Sequence, residues 1–288
     1  MSGINLNGNH IAKTTKLFIK GEFPRTESGR SLPVMVHGTD KIYTHLCRAS
    51  RKDLRMAVEV ALAAQPGWVK RTAYNRAQIL YRMAEMTEGK RSELSAIMQT
   101  VLGMNETDAN KQIDEAVNTF VYYAGFADKF SQVMASVNPV SGPFHNFTTP
   151  DAVGVVGIIY DESSFNLSHF VSQICSVICS GNTTVVVFDQ PGAAMLSELG
   201  EIFKTSDLPA GVVNLLSGQV DELYTHMGGH MEVHSLLYSG ENQPRINELR
   251  EMAIENMKRV VPWTFKNCDL EPIVRFTEDK TVWHPVGI

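Results

Sequence analysis

Between residues 153 and 262 the chain repeats one pattern, in which a short uninterrupted apolar run is followed by a stretch with helical spacing and then by another apolar run. The apolar runs are VGVVGIIY (153–160), TTVVVF (183–188), GVVNLL (211–216) and residues 233–238, all rich in Val, Ile or Leu. Helical spacing fills residues 167–179, 193–205 and 220–227 between them. A strand that is apolar on both faces has no solvent side, so helices must cover it above and below, and such crossovers make the strands parallel. The pattern predicts an α/β fold, a doubly wound parallel sheet, over residues 153–262.

The first half of the chain reads differently. Residues 17–23 (LFIKGEF) alternate apolar and polar, and residues 34–47 favour strand around the turn residues Gly38, Thr39 and Asp40, which together predict a small N-terminal β arm. Ser50 and Asp53 form an S-x-x-D cap before Leu54, Ala57, Val58, Ala61 and Ala64, a helix that Pro66 and Gly67 are expected to stop. A second helix is predicted over residues 73–101 and a third over residues 107–134. Residues 139–150 (PVSGPFHNFTTP) are too rich in Pro and Gly for a helix and suit a protruding hairpin or flap.

Composition narrows the function classes. With 43% hydrophobic and 20% charged residues, the chain is neither disordered, collagen-like nor coiled coil. No apolar run approaches the roughly 20 residues needed to cross a bilayer, and the polar start lacks a secretory core, so a soluble cytoplasmic protein with no membrane partner is expected. The net charge of −5 is too balanced for a nucleic-acid binder. It hides an asymmetry: residues 1–100 carry 16 basic and 8 acidic side chains, and the remainder 10 and 23. From residue 101 to 244 only Lys111, Lys129 and Lys204 are basic, a poor supply of cations for a phosphorylated ligand.

A parallel sheet places its ligand site beyond the strand C-termini, which directs attention to the loops near Tyr160, Phe188, Ser217 and Ser239. No GxGxxG occurs; Gly154 and Gly157 sit inside an apolar strand, where packing accounts for them. Cys175 and Cys179 lie on an apolar helical stripe and read as packing residues, while Cys268 lacks a His at a recognisable spacing. His226, His230 and His234 would need one helix to share a metal, and Gly228 and Gly229 interrupt it. Neither a metal site nor a catalytic group is expected.

At this level of detail the chain resembles the aldehyde dehydrogenase superfamily. The segments that carry the resemblance are LFIKGEF (17–23), the helix start at 49–58, PGW (66–68), RAQILYRMAE (76–85), YYAGFADK (122–129), VGVVGII (153–159), SGNTTVV (180–186) and LPAGVVN (208–214). The resemblance implies a nicotinamide-binding, Rossmann-like domain over residues 17–138 and 152–262, preceded by a polar leader at 1–16. It also implies a β flap for oligomerisation at 139–151, grouped here with the tail at 263–288.

The positions that would make such a protein an enzyme are altered. Where the family has a Lys for the adenosine ribose stands Val187, followed by Phe188 and Asp189. The family's P-W-N-F turn, whose Asn amide helps hold the substrate oxyanion, corresponds to residues 161–166 (DESSFN), with two added carboxylates. Its F-T-G-S-x-x-x-G phosphate loop becomes Tyr238, Ser239, Gly240, Glu241, Asn242, Gln243, Pro244 and Arg245. Glu241 is expected as a first-turn acid of the next helix, where it takes the place of a phosphate. The family's general base falls at or beside Trp263, in VPWTFKNC (261–268), and the chain ends before the region that carries the nucleophilic Cys.

Residues 258–288, ending TVWHPVGI, look like the shortened, catalytically incompetent second copy found in family-16 aldehyde dehydrogenases. The reading is therefore a pseudoenzyme module for oligomer assembly or interaction, with no cofactor expected and with a second copy of itself or an active aldehyde dehydrogenase module as partner. The vestigial cofactor positions are Val187, Ser239, Gly240, Glu241 and Arg245. The alternative is an oxidoreductase component that keeps NAD(P) affinity or completes a partner's site. Trp283 and Val286 suit either docking on another chain or packing on their own domain.

Overall fold

The computed structural model describes residues 12–265 and 268–287. The leader's first eleven positions, Lys266, Asn267 and Ile288 lie outside the described residues. The chain opens with a three-stranded arm in which β3 (Ile42–Cys47) pairs in parallel with β1 (Thr14–Thr15) and antiparallel with β2 (Ser31–Met35). Residues 17–23 are not a regular strand of that arm. Lys20 and Gly21 take φ values of 57° and 71°, which fold the segment into a tight turn. Phe18 instead bridges to Leu215 through two backbone hydrogen bonds of 2.9 and 2.8 Å.

Helix α1 (Arg51–Val69) starts on the expected capping box: the Ser50 side chain accepts from Asp53 N–H, and Asp53 accepts from Ser50 N–H. Asp53 also accepts from the Thr26 hydroxyl at 2.6 Å and Glu27 N–H at 3.1 Å, so one carboxylate ties the helix to the arm. The helix does not stop at Pro66 but runs through it to Val69. Its last turn is anchored from a distance, because Trp68, fully buried, donates its indole N–H to Ile178 O at 2.9 Å.

The predicted second helix is two, α2 (Ala73–Gly89) and α3 (Arg91–Leu102), broken at Lys90. The third is likewise α4 (Glu106–Phe126) and the short α5 (Phe130–Met134). Strands β4 (Ser136–Asn138) and β5 (Phe144–Ala152) follow, and then the segment that the apolar runs foretold. It comprises β6 (Val155–Tyr160), α6 (Leu167–Cys179), β7 (Thr183–Phe188), a 3-10 turn at Gly192–Met195, α7 (Leu196–Thr205), β8 (Val213–Ser217), α8 (Val220–Gly228), β9 (Ser235–Ser239), α9 (Gln243–Ile254) and β10 (Arg259–Pro262). Helix α10 (Glu271–Val274) and β11 (Thr277–Pro285) complete the described chain.

Strands β6 to β10 form one parallel sheet in the order β10-β9-β6-β7-β8. Alternation along each strand sends Val155, Ile159, Val185, Val187, Leu216 and Tyr238 to the face covered by α1, α8 and α9. Val156, Ile158, Val186, Phe188, Leu215 and Leu237 go to the other face, under α6 and α7 with α2 and α4 behind them. The orphan carbonyls at the end of α6 are met from that second layer and from α1: Arg76 donates to Cys179 O at 3.1 Å beside the Trp68 bond. Gly157 allows a close helix approach, since a Cβ there would lie 2.6 Å from Met227 Sδ.

The flap is a three-stranded antiparallel sheet, β11-β5-β4. Strand β11 runs beside β5 over nine residue pairs, so the tail pairs with its own chain. Trp283 still keeps 59% of its surface exposed, edge-on to Phe144. No helix among the described residues is long and apolar enough to cross a membrane.

Candidate functional site

The strand order reverses at β6: the chain steps outward through β7 and β8, then returns to lay β9 on the opposite side of β6. A crevice forms beyond the strand C-termini at such a switch point. Here the two walls are tied directly, Asp161 N–H donating to Ser239 O at 2.7 Å. Gly240 is required for this approach, because a Cβ would stand 2.7 Å from Asp161 O.

Each of three strand ends delivers acid to the rim. Asp161 and Glu162 follow β6, Asp189 follows β7, and Asp221 lies in the first turn of α8 after β8. These four carboxylates line a cavity of 220 Å³ with Tyr160 and Phe165. Among the described residues, the arginine that pairs with two of them, Asp161 and Asp221, is Arg245, from the first turn of α9. Its guanidinium donates to Asp161 Oδ2 at 2.5 Å, pairs with Asp221, and stacks over the Tyr224 ring at 4.5 Å. Asp161 Oδ2 also accepts from the Tyr238 hydroxyl at 2.5 Å. Burial works against the Arg245 charge, but Asp161, Tyr238 and Asp221 hold its pKa above the ordinary value.

Asp189 forms no ion pair among the described residues; its carboxylate accepts from the next backbone N–H, Gln190, at 2.6 Å. Burial pushes its carboxyl above the usual range, and the Asp221 and Asp161 charges add to the rise against a smaller opposing pull from Gln190 N–H and Arg48. The local field is negative even with Arg245 in place.

A second cavity, 590 Å³, adjoins the first through Asp161 and Glu162 and is also lined by His169, Gly240, Glu241 and Trp263. Glu162 accepts from the Tyr160 hydroxyl at 3.1 Å and from the Ser239 hydroxyl, and lies 3.9 Å from His169 Nδ1. Burial raises the Glu162 pKa, but the bonds from His169, Ser239 and Tyr160 outweigh it and leave the carboxyl below its usual range. The same carboxylate holds His169 above its ordinary value. Trp263, at or beside the position where the resemblance puts the family's base, offers an indole ring and no proton acceptor.

The residues singled out from the sequence take diverse places. Val187 does not reach the crevice; it is fully buried in β7 between Ile159 and Leu216. Ser239 is buried under α6, accepting from Gln173 Nε2 at 2.7 Å while donating to Glu162. Glu241 is exposed and precedes α9 rather than entering its first turn, which carries no acid; Asn242 caps the helix by accepting from Arg245 N–H at 3.1 Å. Of the five, Ser239 and Arg245 bond to the opposite wall, Ser239 to Asp161 N–H and the Glu162 carboxylate and Arg245 to the Asp161 carboxylate. Asp221, Tyr224 and His169 were not foreseen, and Tyr238 was named only as part of the altered phosphate loop, although three strand ends closely followed by an acid were legible as a series.

The thiols offer no nucleophile at the crevice. Cys175 and Cys179 are fully buried, and burial raises both, Cys179 to about 12. Cys268 faces Thr119 on α4. Among the described residues no three His, Cys, Asp or Glu side chains converge to hold a metal ion. His234 Nδ1 is occupied by Val155 N–H, and His230 Nδ1 by Glu232 N–H.

A parallel five-stranded sheet with helices on both faces and a crevice at its switch point defines the Rossmann-like, dinucleotide-binding class. Within it, the chain belongs to the aldehyde dehydrogenase family, whose sequence model matches residues 23–262. It is 30% identical to human retinal dehydrogenase 2 over 255 residues, 86% of this chain and 48% of that protein. It is 28% identical over 274 residues to the mitochondrial aldehyde dehydrogenase family 2 member B4 of Arabidopsis thaliana, 93% of this chain and 50% of that one. Among solved structures, the NAD+ complex of an aldehyde dehydrogenase from Bacillus cereus superposes with a TM-score of 0.81 at 25% identity, covering 86% of this chain and 50% of that one. The chain spans about half the length of the curated relatives it matches.

A dinucleotide pyrophosphate asks a crevice for cations and free N–H groups. The residues present here do not fit it: four carboxylates face the space, and the guanidinium that reaches them is engaged by two of them.

Proposed function

We propose that this chain is a catalytically silent aldehyde dehydrogenase module that acts in assembly or as an interaction domain, as the resemblance to the shortened copy in family-16 aldehyde dehydrogenases suggests. The observation that carries the reading is the crevice itself, acidic where the fold ordinarily receives a phosphate, with an indole at or beside the place the resemblance gives the base. The β11-β5-β4 sheet supports the assembly role, because Val137, Phe144, Val282 and Trp283 leave it with exposed apolar area. Its partner under this proposal is a second copy or an active aldehyde dehydrogenase module, and the free thiols suit the cytoplasm.

Two measurements test it. Purified chain mixed with NAD and a panel of aldehydes should reduce no cofactor above a mock preparation; steady reduction would end the silent reading. Light scattering after size exclusion should give a dimer or larger species. A monomer at high concentration would remove self-assembly. A second reading, retained NAD affinity without chemistry, draws on the likeness to the Bacillus cereus NAD+ complex. A saturable rise in melting temperature with millimolar NAD would favour it.

A further inference from the structure

Two explanations of a silent crevice make different demands on its shape. If bulk had closed it, the side chains at the altered positions would fill the space. Most do not: Val187 points into the core, Glu241 stands exposed ahead of α9 at the rim of the second cavity, and Gly240 has no side chain, which leaves Arg245 as the altered side chain that spans the crevice. What remains is 220 Å³ of space, against roughly 30 Å³ for a water molecule, joined to a further 590 Å³. The space suffices for a small inorganic anion.

The charge is a different matter. Arg245 has the attributes of an anion-binding residue: a side chain only 12% exposed, a planar fork aimed across the switch point, and an aromatic ring beneath it. Both arms of the fork, however, meet carboxylates of this chain, Asp161 on one wall and Asp221 at the start of α8. The remaining acids on the rim, Glu162 and Asp189, form no ion pair with a lysine or arginine among the described residues. An incoming phosphate would have to displace Asp161 and Asp221 from Arg245 while facing two further negative charges.

We infer that the crevice is a silenced anion site, in which Asp161 and Asp221 hold Arg245 out of service, so that a pyrophosphate is turned away by charge. The consequence is a gain of binding on removing charge. Asp221 provides a variant that leaves the fold intact, because its side chain is 81% exposed and Arg245 is the partner it pairs with. Asp161→Asn is isosteric and keeps an oxygen that can accept from Tyr238 or Arg245.

The inference deepens the silent reading of the crevice and is independent of the assembly role, whose test is molecular mass. The probe is inorganic pyrophosphate, titrated by calorimetry into the full chain at low ionic strength. Wild type should give no saturable heat. Asp221→Asn should bind weakly, and the Asp161→Asn, Asp221→Asn pair should bind about tenfold or more tightly than the single variant, with affinity falling as salt rises. Adding Arg245→Gln to the pair should abolish the gain. Saturable binding to wild type, or a folded pair variant that stays blind to pyrophosphate, would overturn the inference. If the pair variant does not fold, Asp221→Asn combined with Asp189→Asn decides the question on the same terms.

Discussion

The two ends of the five-stranded sheet are built from different chemistry. At the N-terminal end the joints are mostly neutral: His234 Nδ1 accepts from Val155 N–H, Asn182 links Gly154 N–H to Phe276 O, and the Lys258 ammonium donates to His230 O at 2.8 Å. At the C-terminal end, acids follow three strands and one arginine bridges two of them. Between the ends lies an apolar interior of Val, Ile and Leu side chains on both faces of the sheet. The difference teaches that the ligand-receiving end of this fold class carries its charge on loops and helix starts, which the apolar alternation of the strands below does not dictate.

The sharpest way to break this comparison is Val187→Lys, which asks whether position 187 belongs to the interior or to the crevice. An unpaired ammonium among Ile159, Leu216 and the helices above should cost several kcal/mol and either prevent folding or lower Tm steeply. A well-folded variant with new NAD affinity would instead put position 187 on the crevice wall.

At the N-terminal end, burial lowers the Lys258 ammonium from 10.5 to about 8. Its charge therefore costs stability below pH 8, and the cost is relieved as pH rises from the folded value toward the unfolded one. Lys258→Met should stabilise the chain modestly at pH 7, because the loss of the bond to His230 O offsets part of the relieved burial cost, with the advantage shrinking between pH 8 and 10.5 in denaturant titrations.

Arg245→Gln should cost about 2 kcal/mol in a urea titration, because the partly buried Asp161 carboxylate loses its cation and keeps only the Tyr238 hydroxyl, while Asp221 simply returns to solvent. A neutral result would mean that the bridge across the crevice adds nothing to the fold.

The smallest effect is expected from His169→Gln. His169 is raised above 6.5 by Glu162, so its contribution is complete below that value and lost as pH rises through the folded pKa. Glu162 is lowered below 4.5, and its share is lost as pH falls through the folded value. The difference in stability between wild type and variant should thus be largest between these limits and decline toward alkaline pH. A flat difference across neutrality would remove the pair as a source of pH dependence.

Much of the fold was legible because its causes are local. The all-apolar run at Thr183–Phe188 is a strand with those bounds, Leu167–Cys179 is a helix with those bounds, and Ser50 with Asp53 caps α1. Misreadings came where a distant partner decides. Pro66 fails to end α1 because the next turn carries Trp68, whose indole is held by Ile178. Residues 17–23 look like a strand by alternation, yet they turn at Lys20 and Gly21 and join the edge of β8 at Leu215.

The candidate site divides the same way. The shortage of lysine and arginine between residues 101 and 244 already spoke against a phosphate ligand, and Asp161, Glu162 and Asp189 were visible as acids beside apolar runs. Which of them Arg245 would meet was not visible, since Asp161 lies 84 residues away in sequence and Tyr238 reaches the same oxygen from the opposite wall.

By itself, then, the sequence determined the alternation of strand and helix, the burial of both faces of the sheet, the family, and the sign of the charge around the crevice. These follow from composition, short-range periodicity and the order of short motifs. Only the tertiary structure decided that Val187 faces the core, that Glu241 stays outside its helix, that β11 returns to β5, and that Arg245 is held between Asp161 and Asp221. Each of those outcomes depends on strand register and helix placement, which long-range packing sets and no local pattern encodes.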